Sequence, residues 1–236
     1  MGVILLNGRS SADIGLVVER PPDYEMAEKD YEIVPVPGRN GDIIIDKGGY
    51  KNVERSYDVA IGAEGANFAL LAAKITNWLY SNVGYVRLED SYEPDYFKMA
   101  RLAQNEPIIN ILQQAGRATI TFDRKPQRFL KSGEGSVILS SGMKMSNPTP
   151  FVALPLLKVT GTGTITFGGR TIKINKNTSF MYIDSETEDA YRDVATNLNP
   201  DVELPDGFPV LEPGNTTITF PATITKLEVT PRWWVI

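Results

Sequence analysis

The chain has 236 residues, 42% of them hydrophobic, which is enough for two ordinary cores, and a net charge of −5 that falls on both halves. It contains neither cysteine nor histidine, which excludes disulfide frameworks, Ser-His-Asp triads, cysteine nucleophiles and nearly all zinc sites. Acidic residues outnumber basic ones in each half, so neither has the overall charge of a nucleic-acid binder.

The apolar start Val3-Ile4-Leu5-Leu6 lacks the basic flank and small-residue site of a signal peptide and reads as a first strand. Gly2 is no myristoylation site, because Leu6 stands where Ser or Thr is required. No stretch is long enough to span a bilayer, so no membrane anchor is expected. Asn7-Gly8-Arg9-Ser10-Ser11 has turn chemistry, residues 14–18 form a second strand, and Pro21-Pro22-Asp23 ends it.

The most informative stretch is 34–61. Pro35, Pro37, Gly38, Arg39, Asn40 and Gly41 predict a shaped loop before Asp42. Ile43, Ile44 and Ile45 then form a strand whose side chains alternate, so both of its faces need cover. The expectation is that Ile43 and Ile45 pack inside the domain while Ile44 meets a neighbouring chain. Lys47-Gly48-Gly49 reads as a turn into a strand over 53–61, with Val53, Tyr57, Val59 and Ile61 on its dry face.

A helix is predicted over 67–80, capped by Asn67, with Phe68, Leu71, Ile75, Trp78 and Leu79 on one side. Strands follow over 85–88, 96–102, 108–112 and 118–122. The acidic run Glu89, Asp90, Glu93 and Asp95 lacks EF-hand spacing and reads as a solvated loop, and the contiguous cluster Asp184 to Asp189 as a surface turn. No catalytic, cofactor or metal residues are assigned, and no enzyme activity is expected.

The composition of 131–135 and 146–150 suggests a connection, with the boundary near Gly133 and domains of 1–131 and 132–236. Short β-runs over 137–139, 154–160, 163–167, 171–174, 180–184, 216–220 and 223–230 indicate a β-sandwich. Gly168-Gly169 closes the clearest hairpin and sets Ile165 opposite Ile172. Gly161-Thr162-Gly163 is not a dinucleotide fingerprint, since strand rather than helix follows. Asn177-Thr178-Ser179 and Asn215-Thr216-Thr217 fit glycosylation acceptors but are expected to be turns. Trp233 and Trp234 face opposite ways on one strand, so one of them belongs to a core. The fold class is mainly β: an α+β first domain with one helix on a β-sandwich, then a second sandwich.

The loop Pro37-Gly38-Arg39-Asn40-Gly41-Asp42, the apolar strand closed by Asp46, the Gly48-Gly49-Tyr50 turn and Asn52-Val53 together resemble the distal tail protein family of long-tailed phages. Further agreement comes from Ile183-Asp184-Ser185-Glu186, Asn197-Leu198-Asn199, the run 208–215 and the closing Pro231-Arg232-Trp233-Trp234. The resemblance implies a non-enzymatic virion protein at the distal end of the tail, assembled in the host cytoplasm. It also implies a homohexameric ring made by the first domain and a galectin-like second domain projecting outward. The implied partners are further copies of the chain, the tail tube protein, the tail-tip or tail-associated lysin protein and a receptor-binding protein, with DNA only passing through the lumen. Gly38, Arg39, Asn40, Gly41 and Ile44 become candidates for the subunit contact. The rival reading is a carbohydrate-binding module for host-surface adhesion, using Trp233, Trp234, Tyr182 and Tyr191.

Overall fold

The computed structural model describes residues 2–61, 68–103, 111–112 and 116–236, which divide into two compact units, residues 1–128 with Ile236, and residues 129–235. The expected helix cap Asn67 and residues 108–110 of an expected strand lie outside the described residues. Ile111 and Leu112, at the end of that predicted strand, are helical instead.

The first unit contains β1 (Ile4–Leu6), β2 (Arg9–Ser10), β3 (Leu16–Val18), β4 (Lys29–Val34), β5 (Ile43–Tyr50), β6 (Val53–Ile61), α1 (Phe68–Tyr80), β7 (Val86–Asp90), β8 (Tyr96–Leu102) and β9 (Arg117–Leu130). Its main sheet runs in the order β2-β1-β7-β8-β9-β6-β3. The sheet curls until Val18 at the end of β3 exchanges two backbone hydrogen bonds of 2.9 Å with Gly2, just ahead of β1. A curl that returns on itself leaves no long open edge there. The predicted strand over 14–18 starts later, because Ile14 ends a single 3-10 turn and Gly15 at φ 77° redirects the chain.

Alternation builds the interior. Val53, Tyr57 and Val59 of β6 point inward with Leu88 of β7, Ala100 of β8 and Ile120 and Phe122 of β9. Across them lies α1, whose buried residues Leu71, Ile75, Trp78 and Leu79 recur at helical spacing. Each such side chain removed from water contributes about 2 kcal/mol. Trp78 also donates its Nε1 to the Arg9 carbonyl at 3.0 Å, which satisfies the one polar atom that its burial brings inside.

The 43–50 segment departs from expectation in two ways. First, β5 pairs only with β4, as a ribbon separate from the main sheet, with Val34 opposite Ile43, Ile33 opposite Ile44 and Glu32 opposite Ile45. Ile43, Ile44 and Ile45 are 39, 67 and 48% exposed, so Ile43 and Ile45 are not in the core of this domain. Alternation separates their faces correctly, but a strand outside the main sheet has no inner side. Second, Lys47-Gly48-Gly49 is not a turn. The residues continue β5 through an irregularity in its pairing, with Gly48 at φ 80° and its N–H donating to Asp46 Oδ1 at 2.8 Å.

The second unit holds β10 (Val137–Leu139), β11 (Lys144–Asn147), β12 (Leu156–Gly161), β13 (Gly163–Phe167), β14 (Arg170–Ile174), β15 (Met181–Asp184), β16 (Asp189–Asp193), β17 (Thr196–Asn197), β18 (Val202–Glu203), β19 (Gly214–Thr219), β20 (Ile224–Thr230) and β21 (Trp234–Val235). A six-stranded sheet, β10-β20-β12-β15-β16-β17, faces a five-stranded one, β11-β19-β13-β14-β18. Leu157, Val159, Ile183, Leu227 and Val229 from the first meet Ile165, Phe167, Ile172, Ile174 and Ile218 from the second in one buried core. The β13–β14 hairpin has Ile165 opposite Ile172, and its two turn glycines, at φ 58° and 89°, have the positive values that a type I′ turn requires.

The Asp184 cluster is only partly a surface turn. Asp184 closes β15 and is buried, gripped by Arg232, which donates Nη1 to Oδ1 at 2.6 Å and Nη2 to Oδ2 at 3.0 Å. Burial alone would raise the Asp184 carboxyl, but the Arg232 guanidinium holds it below the ordinary carboxylate range.

Gly133, placed at the expected boundary for its composition, is buried. A Cβ there would stand 2.5 Å from the Trp233 backbone nitrogen. Gly133→Ala should therefore cost about 1–3 kcal/mol of second-unit stability. Gly135→Ala, with open space around it, should leave the melting temperature of the full chain unchanged, and thermal unfolding of the two variants side by side checks both.

Candidate functional site

The β4–β5 ribbon carries exposed apolar side chains on both faces. One has Tyr31, Ile33 and Ile44 beside Asp46, and the other Val34, Ile43 and Ile45 beside Glu32. Tyr31 and Ile33 are about half exposed, as are the isoleucines of β5. Its strands of 6 and 8 residues reach about 20 Å or more, and a lone two-stranded ribbon is marginally stable in water. Lys29 Nζ bonds Asp46 Oδ2 at 2.8 Å, and Lys51 N donates to the Glu28 carbonyl at 2.9 Å, which ties the ribbon at its base. The Gly38–Gly41 loop joins the far ends, and Gly38 and Gly41 take φ of 80° and 83°.

What roots this ribbon is a buried set of charges in the first unit. Lys98 lies on the inward face of β8 and is 1% exposed. Its ammonium donates to Asp90 Oδ2 at 3.0 Å and to Glu93 Oε2. Tyr57 donates its hydroxyl to the same Asp90 oxygen at 2.8 Å, while the Tyr92 and Glu93 backbone N–H groups donate to Asp90 Oδ1 at 3.0 Å. Arg55 Nη2 reaches Glu93 Oε2 at 3.2 Å, and Arg128 Nη1 reaches Glu93 Oε1 at 2.6 Å, with its guanidinium near the Tyr24 and Tyr96 rings.

One of these cations, Arg55, and a further buried arginine, Arg124, hold the irregular chain that leads into β4. Arg55 Nη1 donates to the Asp23 carbonyl at 2.7 Å, and buried Arg124 donates Nη2 to the Glu25 carbonyl at 3.4 Å. The expected solvated loop is thus corrected, since Asp90 and Glu93 are interior counter-ions. Burial alone would raise both carboxyls, yet Lys98, with Tyr57 and Arg55 at Asp90 and with Arg128 and Arg55 at Glu93, holds them below their ordinary values. Burial pushes the Tyr57 hydroxyl up, so it remains a donor at neutral pH.

No protein-family model matches the chain, and no curated protein does. Among solved structures it is similar to the SPP1 Dit protein, described as a paradigm of the hub adsorption apparatus in phages infecting Gram-positive hosts. The TM-score is 0.74 at 13% identity, with 100% of both chains covered. It is also similar to chains of the phage P2 baseplate in its activated conformation with Ca, at a TM-score of 0.52 and 11% identity over 97% of each chain. The same baseplate with Sr gives 0.50 and 11%, again over 97% of each.

The chain has the Dit fold. Within that fold, Gly38, Arg39, Asn40, Gly41 and Ile44 come together at one end of the ribbon, all exposed. The aromatic residues of the sugar-binding reading do not gather. Trp233 is buried in the sandwich core, Trp234 stacks on Phe151 at 4.5 Å, and Tyr182 and Tyr191 pair with each other across β15 and β16 at 5.5 Å. Asn177, in the loop between β14 and β15, donates Nδ2 to the Val159 and Gly161 carbonyls of β12. Among the described residues no cluster of three or more acidic side chains could hold a metal ion, and no helix is long and apolar enough to cross a membrane.

The buried charges had a signal in the sequence. Arg55 sits between Val53 and Tyr57 on the dry face of β6, and Lys98 shares the Ala100 face of β8. A cation on an inward face demands a carboxylate, and the acidic run 89–95 is the nearest supply.

Lys98→Met would leave Asp90 and Glu93 buried without their ammonium and should lower stability by about 3–5 kcal/mol. The folded carboxyls titrate below their ordinary values of 3.8 and 4.5, so their contribution is complete above those values and is lost as pH falls through the lowered ones. Denaturant unfolding followed from neutral to acid pH should show this loss in the parent and a shallower dependence in Lys98→Met.

Proposed function

We propose that the chain is a tail hub subunit, a structural virion protein at the distal end of a phage tail that forms a ring between the tube and the tip. The reading draws its prior from the likeness to Dit and baseplate chains over nearly the whole length. The observation that carries it is the ribbon. Exposed apolar side chains on both faces of one arm, with no covering element of this chain among the described residues, call for a partner. The two faces differ, so they suit a head-to-tail contact, which closes into a ring when the rotation permits.

On this reading Gly38, Arg39, Asn40, Gly41 and Ile44 belong to the contact between subunits of a homohexamer. The tail tube protein lies on one side of the ring. Tail-tip proteins, a tail-associated lysin and a receptor-binding protein among them, lie on the other. DNA only passes through the lumen, and an acidic chain offers it little general attraction. Assembly takes place in the host cytoplasm. The first domain makes the ring and the sandwich projects from it. The carbohydrate-binding alternative is weaker because its four aromatic residues make no common platform, and glycan-array binding by the full chain would restore it.

Light scattering on the purified chain should report a hexamer, and electron micrographs should show closed rings. Ile44→Asp and Ile45→Asp should both give monomers that melt near the parent, since each places an unpaired charge in the contact at a cost of several kcal/mol and neither touches the folded core. A parent chain that stays monomeric at all concentrations removes the ring. If both aspartate variants still assemble, the ribbon is not the contact.

A further inference from the structure

The chain contains two Asn-Gly pairs, Asn7-Gly8 and Asn40-Gly41, and the fold treats them in opposite ways. Asn7 lies in the two-residue turn between β1 and β2, at φ 49° with Gly8 at 76°. Its backbone N–H donates to the Arg87 carbonyl at 2.8 Å, and its side-chain amide donates to Asn82 Oδ1 at 2.9 Å. The Asn7 side chain is therefore held in place by Asn82, and its backbone is fixed by a short turn.

Asn40 is exposed in the loop that joins β4 and β5. Among the described residues neither its side chain nor the Gly41 N–H has a hydrogen-bond partner, and a Cβ built on Gly41 would meet nothing within 4 Å. The nearest fixed point is the Arg39 N–H donating to the Val36 carbonyl at 3.2 Å. Gly41 has no side chain to obstruct its own nitrogen and has wide backbone freedom.

We propose that Asn40 is a site of spontaneous deamidation. The Gly41 backbone nitrogen loses its proton to hydroxide and attacks Asn40 Cγ. The new C–N bond closes a succinimide ring while the bond to the side-chain nitrogen breaks, and ammonia leaves with a proton from water. Water then opens the ring at either carbonyl and leaves aspartate or isoaspartate, with no change of oxidation state. Either product adds a negative charge two residues before Asp42, so the loop gains a second carboxylate close to the first. Isoaspartate also lengthens the backbone path between the paired strands.

The consequence rests on the proposed ring. A charge introduced at the loop beside an apolar contact opposes its burial. A chain that waits unassembled would lose the ability to join, while one already in a ring has the loop covered. The same exposure that leaves the ribbon ready for a partner sets a time limit on finding one.

The test is peptide mass mapping of the full-length parent chain during incubation at mildly alkaline pH. Residue 40 should gain one mass unit at least about tenfold faster than residue 7, and isoaspartyl methyltransferase should label the same peptide. In Asn40→Gln the gain there should disappear. An intact Asn40, or equal rates at the two sites, overturns the proposal. Light scattering on fresh Asn40→Asp decides the consequence: loss of assembly supports it, and parent-like assembly overturns it. The mass gain is read on the chain in whatever oligomeric state it adopts, so a monomeric parent would defeat the ring while leaving the chemistry decided by its own measurement.

Discussion

An ammonium group inside a curled β-sheet is tolerated only if carboxylates reach it, and that requirement at Lys98 organises much of the first unit. Removing each ion from water costs several kcal/mol, which attraction offsets only with close geometry and satisfied hydrogen bonds. Asp90 answers from the end of β7, Glu93 from the loop that follows, and Tyr57 from the neighbouring face of β6. The loop between β7 and β8 is therefore shaped by its counter-ion duty. Glu93 brings in Arg55 and Arg128, and Arg55 and Arg124 then fasten the backbone at Asp23 and Glu25. One buried charge thus sets where the ribbon leaves the body of the unit.

The second unit reaches order by another route. Its core is almost wholly apolar, and its polar interior groups are few and local. Asp184 with Arg232 is the main ionic pair, and Asn177 fastens the loop between β14 and β15 to two carbonyls of β12. Close backbone approach does the rest: Gly161, at φ 103°, would bring a Cβ to 2.1 Å from the Thr223 carbonyl oxygen, beside the point where the β12–β20 register shifts. Only glycine permits that approach. The Gly161-Thr162-Gly163 run, which has the look of a nucleotide motif, is a packing device.

Local rules made the sequence legible where one face was dry and one wet. The β13–β14 hairpin, the apolar face of α1 and the alternation of β6 and β8 all follow from spacing alone, because each element sits on a core it does not share with water. The same rules misplaced Ile43 and Ile45, since alternation says which residues share a face but not whether that face has a core behind it. The acidic run failed for a related reason. Carboxylates are solvated by default, and what drew Asp90 and Glu93 inside was a lysine on another strand. Strands β16 and β18 were hidden by their polar residues, and their pairing to β15 and β14 is what makes them extended. Of the candidate site, the loop glycines and Ile44 were visible, and Arg55 on a dry face signalled a buried charge, whereas the backbone carbonyls of Asp23 and Glu25 that Arg55 and Arg124 hold were not.

The closure of the first sheet has a consequence for the order of folding. Val59 of β6 pairs with Ala118 of β9, and Leu6 of β1 with Leu88 of β7, so most of that sheet depends on partners made much later in synthesis. The ribbon is local by comparison, pairing residues 29–34 with 43–50. Long-range pairings are slow because loop closure precedes any gain from contact. On the ribosome the ribbon can form while the sheet that will anchor it is still incomplete. The nascent chain thus displays apolar strands before it has a core, which makes early chaperone engagement an advantage for this architecture.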